Sequence, residues 1–418
     1  MILTTLAPSA TENDEARRIR SIDGLRAVAV LAVMGYHFGV GPDGGFLGVD
    51  LFFVISGFVI TRLLLRQRAA GTLTMRRFYA HRVRRLLPAL LCVLCTVQLW
   101  VWTADVPAMR STVNSQTVAA LGFFGNWYTI FADVDYWSVL PAEAPLNHLW
   151  SLAVEEQFYL VWPALVVVLV SLSGGQRLLT FATGMGAMVC YALAAWNYVP
   201  GLPDRAYLGT DTRAGALCLG ALAACLTNAA VSRMERSKAA TSALPLLGAL
   251  SVGILLMLWA QATIDSSALY FWQLPLAGLA AATLITVLAV LEGRQRAQHT
   301  ASLPEKVVLK SFAARPVVAV GTISYGLYLW HWPVWVYLKH TVPQWELPTQ
   351  QGAAVLASFT LSLLSYFLLE SPARRCGLRT LLLSVASASV VVASFALISA
   401  PLPQHGADGD GPVVSGVR

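Results

Sequence analysis

The first apolar stretch of the chain, "GLRAVAVLAVMGYHFGV", carries two ionisable side chains, Arg26 and His37. Eleven steps on an α-helix are three turns plus about 20°, so the two share one face, roughly 16 Å apart along the axis. A guanidinium can hold an anion or neutralise an oxyanion. An imidazole can take a proton from a hydroxyl, or accept a transferred group itself. Further residues of this kind recur in other apolar segments. "HLWSLAVEEQFYLVWP" puts His148, Ser151 and Glu155 at i, i+3 and i+7, with Glu156 beside them. "GGFLGVDLFFVISGF" carries Asp50, and "GTDTRAGALCLG" carries Asp211 and Arg213. "GTISYGLYLWHWPVW" holds Ser324, Tyr325 and His331, and "LLESPARR" brings Glu370. The basic stretch "RRFYAHRVRRLLP" spaces Arg82 and Arg85 as Arg-x-x-Arg, suited to gripping phosphate.

Each has a bland alternative. Arg26 can snorkel to an interface, Asp50 can serve as a helix N-terminal charge, and Arg82 and Arg85 can be ordinary loop charges. The polar residues of the Glu155 segment can also be a structural network between helices. The number of ionisable groups in apolar segments is what favours function, because each is costly at membrane depth.

The elements that position these groups follow from composition. Of 418 residues, 56% are hydrophobic and 12% charged, and mean hydropathy is +0.62. Soluble domains carry about 25% charged residues; this chain needs lipid as solvent, and its fold class is an all-α integral membrane protein. About eleven apolar segments are long enough to span, near 22–40, 46–66, 86–104, 148–171, 177–197, 208–230, 242–262, 269–291, 316–339, 351–371 and 378–400. The shorter stretch 115–131 reads as re-entrant or interfacial. With the N-terminus inside, 23 Lys and Arg fall in inner segments and four in outer ones, which predicts an N-in, C-out topology. That pattern, and not nucleic acid, accounts for the net charge of +7; no nucleic-acid partner is expected. The localisation is the inner or plasma membrane, multi-pass, with membrane lipid as a partner. The cysteines read as small hydrophobes in apolar segments, except Cys376, and no metal site is expected. On this topology the outer half gathers His37, Asp50, His148, Glu155, Glu156, Asp211 and Arg213, and the inner rim Arg26, Arg82, Arg85 and Glu370. Such a layout suits transfer of a group from a phosphorylated cytoplasmic donor to an acceptor hydroxyl.

These motifs together resemble the membrane-bound acyltransferase-3 family of O-acyltransferases. "SIDGLRAVAVLAVMGYH" is similar to its Arg-x10-His motif, here Arg26 and His37, and Arg82 and Arg85 match its Arg-x-x-Arg. The second-helix stretch and the His148, Asp211 and His331 segments also look like family motifs. The resemblance spans about residues 19–375. It implies transfer of an acyl group, often acetyl from acetyl-CoA, to a hydroxyl of a carbohydrate, glycolipid or macrolide acceptor, with acyl-CoA as co-substrate and no bound cofactor. The expected layout is a cytoplasmic tail at 1–20, a ten-helix acyltransferase domain at 21–375, an additional helix at 376–400 and a tail at 401–418. No Gly-Asp-Ser motif follows residue 400, so a stand-alone transmembrane domain without the SGNH hydrolase-like domain of some relatives is expected. His37 is then the expected base or acyl acceptor, with His148, Glu155 and Glu156 beside it and Arg26 on the donor. Asp50, Asp211, Arg213, Ser324, His331 and Glu370 are expected in support. The alternative is a transporter or flippase of a glycolipid or oligosaccharide that uses the buried polar groups as a proton relay.

Overall fold

Helix α1 (Arg20–Phe38) starts where the chain meets a buried carboxylate. Glu292 accepts hydrogen bonds from the backbone N–H groups of Arg20 (2.9 Å) and Ser21 (3.0 Å) and from the Ser21 hydroxyl (2.8 Å). That satisfies donors which a helix start leaves open and sets a negative charge at the positive end of the dipole. The helix stops two residues past His37, at Gly39, whose φ of +69° ends it in the left-handed region that favours glycine. The Gln351 amide donates to the freed Phe38 carbonyl at 2.8 Å. Both ends of the element carrying Arg26 and His37 are therefore fixed from other helices.

The computed structural model describes residues 19–104, 107–132, 144–236, 238–297 and 302–374, side chains at 107–108 and 228–240 excepted. The expected helix at 378–400, the tails at 1–18 and 401–418 and the centre of the outer loop lie outside the described residues. After a 3-10 turn (Asp43–Leu47) come α2 (Gly48–Ala69), α3 (Met75–Thr103), α4 (Pro107–Leu121) and α5 (Gly125–Phe131). A second 3-10 turn (Asn147–Leu149) leads into α6 (Trp150–Ser171), followed by α7 (Gly175–Trp196), α8 (Asp204–Leu208), α9 (Thr210–Arg236) and α10 (Lys238–Gln261). The remainder is α11 (Leu274–Arg296), α12 (Leu303–Ala313), α13 (Arg315–Thr322), α14 (Ser324–Thr341), α15 (Leu347–Ser365) and α16 (Ser371–Ala373). Wide π turns precede α11 (Leu269–Gln273) and follow α15 (Tyr366–Glu370).

The all-α membrane architecture holds. Among the described residues, seven helical segments are long and apolar enough to span a membrane. Those of α1, α9 and α13–α14 fall outside that set, and they carry many of the polar residues singled out above. They can carry them because they bury much of their surface in protein rather than in lipid. Two expectations change. The 316–339 segment is two helices, broken at Ile323, which puts Ser324 at the start of a new one. The basic stretch at 75–85 is no loop: it is the first three turns of α3, so Arg82 and Arg85 are helical and partly buried. The 115–131 stretch belongs to α4 and α5. Of the cysteines, Cys218 and Cys225 are buried, but Cys95 is exposed on α3.

Close approach at small residues holds the bundle. Gly57 of α2 lies against the Leu217 backbone of α9, where a Cβ would come within 1.9 Å of a carbonyl oxygen, and Gly220 lies likewise against Val54 at 2.0 Å. Between membrane helices such packing, and not expulsion of water, supplies the association energy. The bonds Ser56–Glu155 and Thr61–Trp162 advance together along α2 and α6, and Asp50–Arg213 and Gly57–Leu217 do so along α2 and α9. The three helices thus run in the same direction.

Candidate active site

An interior cleft of about 90 Å³ opens between α1, α2, α3, α6 and α14. On this measure a single water needs about 10–15 Å³, so the space suits a small group or a thin chain. Its lower end is cationic. Arg26 from α1 and Arg82 and Arg85 from α3 all line it. Arg82 is already engaged: it pairs with Glu156 at 2.5 Å and lies 3.4 Å from the centre of the Tyr159 ring. Arg26 donates through Nε to the Ser324 hydroxyl at 3.2 Å. Arg85 has no hydrogen-bond or ion-pair partner among the described residues, and the cations Arg26, Arg82 and Arg374 act on it. Two guanidiniums without carboxylate partners facing one cleft form a seat for an anion.

Glu370 ends the π turn after α15 and is 1% exposed. One oxygen meets Arg374 at 3.3 Å, the other has no partner, and Arg85 and Arg26 lie within electrostatic reach. The expected meeting of Glu370 with Arg26 is thus an approach across the cationic end, with no direct bond.

At the other end, Ser151 and Tyr328 close the cleft. The Tyr328 hydroxyl donates to the His148 carbonyl at 2.7 Å and accepts from the Ser151 hydroxyl at 2.6 Å. Around Tyr328 stand three imidazoles. His37 Nδ1 and His331 Nε2 are 2.8 Å apart, and the His148 ring centre is 5.4 Å from that of His331. His148 is 1% exposed, and the Leu329 backbone, whose carbonyl Pro333 leaves without a helical donor, is the hydrogen-bonding group within reach of its ring. The Trp332 ring packs on His37 at 4.7 Å. His331 projects from α14 two residues before Pro333, which interrupts the helical hydrogen bonds there.

The structure therefore joins Arg26, Arg82, Arg85, Glu155, Glu156, Ser324 and Glu370 at one pole and His37, His148 and His331 at the other. This corrects the placement of Glu155 and Glu156, expected level with His37. Glu155 accepts from Ser56 at 2.8 Å and lines the cleft, and Glu156 is bound to Arg82. The cause is α6 itself, which carries them about two turns past His148. Asp50 and Arg213 are also not part of the histidine cluster. They pair with each other at 2.8 Å, with side chains 3% and 1% exposed, and Tyr207 packs 4.5 Å from the guanidinium. Asp211 pairs instead with Arg205 at 2.6 Å, part-exposed. Among the described residues no cluster could hold a metal ion.

Two residues escaped the sequence reading, Tyr159 and Tyr328. Both could have been found by helical spacing: Tyr159 lies four residues after Glu155, and Tyr328 three before His331.

Comparison with known proteins bears on the family resemblance. The profile described as "Acyltransferase domain" matches residues 19–369. The peptidoglycan O-acetyltransferase OatA of Listeria monocytogenes is 34% identical over 372 residues, covering 86% of this chain and 56% of that protein. The O-acetyltransferase OatA of Staphylococcus aureus is 30% identical over 366 residues, covering 87% and 58%. The putative peptidoglycan O-acetyltransferase YrhL of Bacillus subtilis is 32% identical over 381 residues, covering 87% and 56%. The chain spans little more than half the length of these relatives. No solved structure matches. With a family match across most of its length, and with the apolar helices and motifs described above, the chain is a multi-pass membrane protein that belongs to the acyltransferase-3 family.

Proposed function

We propose that this chain is an O-acyltransferase of the cell envelope that moves an acetyl group from acetyl-CoA to a hydroxyl of a carbohydrate acceptor, with peptidoglycan the first candidate. The observation that carries this reading is the cleft between an anion seat and a histidine cluster, both built on α1. The loop-charge bias supports a cytoplasmic arginine pole, the side on which CoA thioesters are made. The relatives named for peptidoglycan O-acetylation support the acceptor class.

In this mechanism Arg26 and Arg85 hold the phosphates of the donor, and its thin pantetheine arm follows the cleft toward His37. Glu156 is the counter-ion that keeps Arg82 and α3 in place. The contact of Tyr328 with Ser151 must part for the arm to pass. His37 takes the proton of the acceptor hydroxyl as its oxygen bonds to the thioester carbonyl carbon. The C–S bond breaks, and His37 returns the proton to the departing sulfur. With one nitrogen of His148 toward the Leu329 backbone, the other suits a neighbouring hydroxyl of the acceptor.

The test is His37→Ala in detergent-purified protein, with labelled acetyl-CoA and peptidoglycan fragments. A general base contributes roughly 100- to 10,000-fold, and a loss of that size is expected with folding intact. Full activity would falsify the assignment of His37. Movement of acceptor across vesicles without release of CoA would favour the transporter reading instead.

A further inference from the structure

We infer that His331 is a positioning residue that fixes the tautomer of His37 through a relay anchored on a backbone carbonyl; this rests on His37 being the base. His331 Nδ1 lies 2.7 Å from the Tyr328 carbonyl oxygen and 3.2 Å from that of Leu327. A carbonyl oxygen can only accept, so Nδ1 carries the hydrogen. In a neutral ring Nε2 is then a bare lone pair. His331 is 0% exposed, with no carboxylate bonded to it among the described residues, and a charged ring there would be a buried, unpaired cation.

The bare His331 Nε2 faces His37 Nδ1 at 2.8 Å. The two rings are inclined by only 15°, with centres 5.1 Å apart. That separation exceeds the N···N distance by the two ring radii, so the rings meet edge to edge, as an N–H···N bond requires. His37 must therefore donate from Nδ1, and its Nε2 is left with the lone pair. Nε2 has no partner among the described residues and is the only nitrogen of the ring able to take a proton from an acceptor.

The logic is that of a histidine base oriented by the acceptor behind it, with a second imidazole in place of a carboxylate. Pro333 and the α14 backbone hold His331, and Trp332 and Phe38 pack around the pair at 4.7 Å from His37 and 6.2 Å from His331. The base is thus set by the α14 backbone rather than by α1, which carries it.

Three measurements test this. In His331→Leu the acceptor is gone: kcat is expected to fall about 100-fold or more, with the KM for acetyl-CoA within about twofold. In His331→Gln the side-chain oxygen can take the place of Nε2, so at least a tenth of the activity should return. In the double variant with His37→Ala, loss of His331 should add nothing further, because it acts through His37. The unaltered protein gives a readout independent of folding. Nitrogen-15 spectra of histidine-labelled protein, assigned by the signals that His37→Ala deletes, should show His37 protonated at Nδ1 and bare at Nε2. Near-full activity of His331→Leu, equal losses in Leu and Gln, or a His37 ring protonated at Nε2 would each overturn the proposal. Full activity of His37→Ala overturns the base reading instead, and leaves the spectrum to decide on the relay.

Discussion

Asp50→Asn removes one negative charge and almost no volume. The Asp50–Arg213 pair is 2.8 Å long and nearly sealed from solvent. It joins α2 to α9 beside the close contacts of Gly57 and Gly220. An asparagine oxygen can still accept from the guanidinium, so what is lost is compensation of a buried positive charge. Breaking such a pair from one side costs about 3–5 kcal/mol. With half of that falling on the unfolding step, thermal inactivation in detergent should accelerate roughly 10- to 60-fold. The assay is the half-life of the monodisperse peak on size exclusion at a fixed temperature, beside acetyl transfer measured before any heating. Initial activity per folded molecule should stay within about twofold, because neither residue lines the cleft. The paired change Asp50→Leu with Arg213→Met should recover most of the half-life, since an apolar pair of similar volume is often as stable as a buried ion pair. Asp50→Asn with unchanged half-life and lost activity would refute the structural role and return Asp50 to the chemistry.

Further outcomes follow from the same geometry. Arg85→Ala should raise the KM for acetyl-CoA about 10- to 100-fold with a smaller change in kcat, the worth of a charge-assisted hydrogen bond to an anion. Steady-state kinetics check this, and a fall in kcat alone would count against Arg85 as an anchor. Gly57→Ala puts a methyl group 1.9 Å from the Leu217 carbonyl oxygen, so α2 and α9 must separate. Little monodisperse protein should be recovered, where Gly253→Ala, with open space around it, should express normally.

Much of the site was legible in the sequence because helices are periodic and lipid penalises charge. Arg26 and His37 on one face of α1 needed only 3.6 residues per turn. Arg82, Arg85, Ser324, His331 and Glu370 announced themselves as polar groups in apolar or basic runs, and all five sit at the two poles. Asp50, Asp211 and Arg213 gave the same signal but serve as ion pairs away from the cleft. A charge at membrane depth says that a partner exists, not whether that partner is substrate or protein.

Composition and periodicity suffice to assign the solvent, the helices and the residues under tension with that solvent. Which of those residues meet depends on how the helices pack. Glu156 lies on Arg82 and not beside His37 because α6 carries it about two turns past His148, to the level of Arg82 on α3. Arg85 is left open while Arg82 is used, although their spacing treats them alike. His37 faces His331 across 294 residues of chain, and a carbonyl of α14 sets the proton on a ring of α1. Periodicity fixes the face a side chain takes on its own helix, but pairing depends on crossing angles set by every packed residue between helices, which no local pattern encodes.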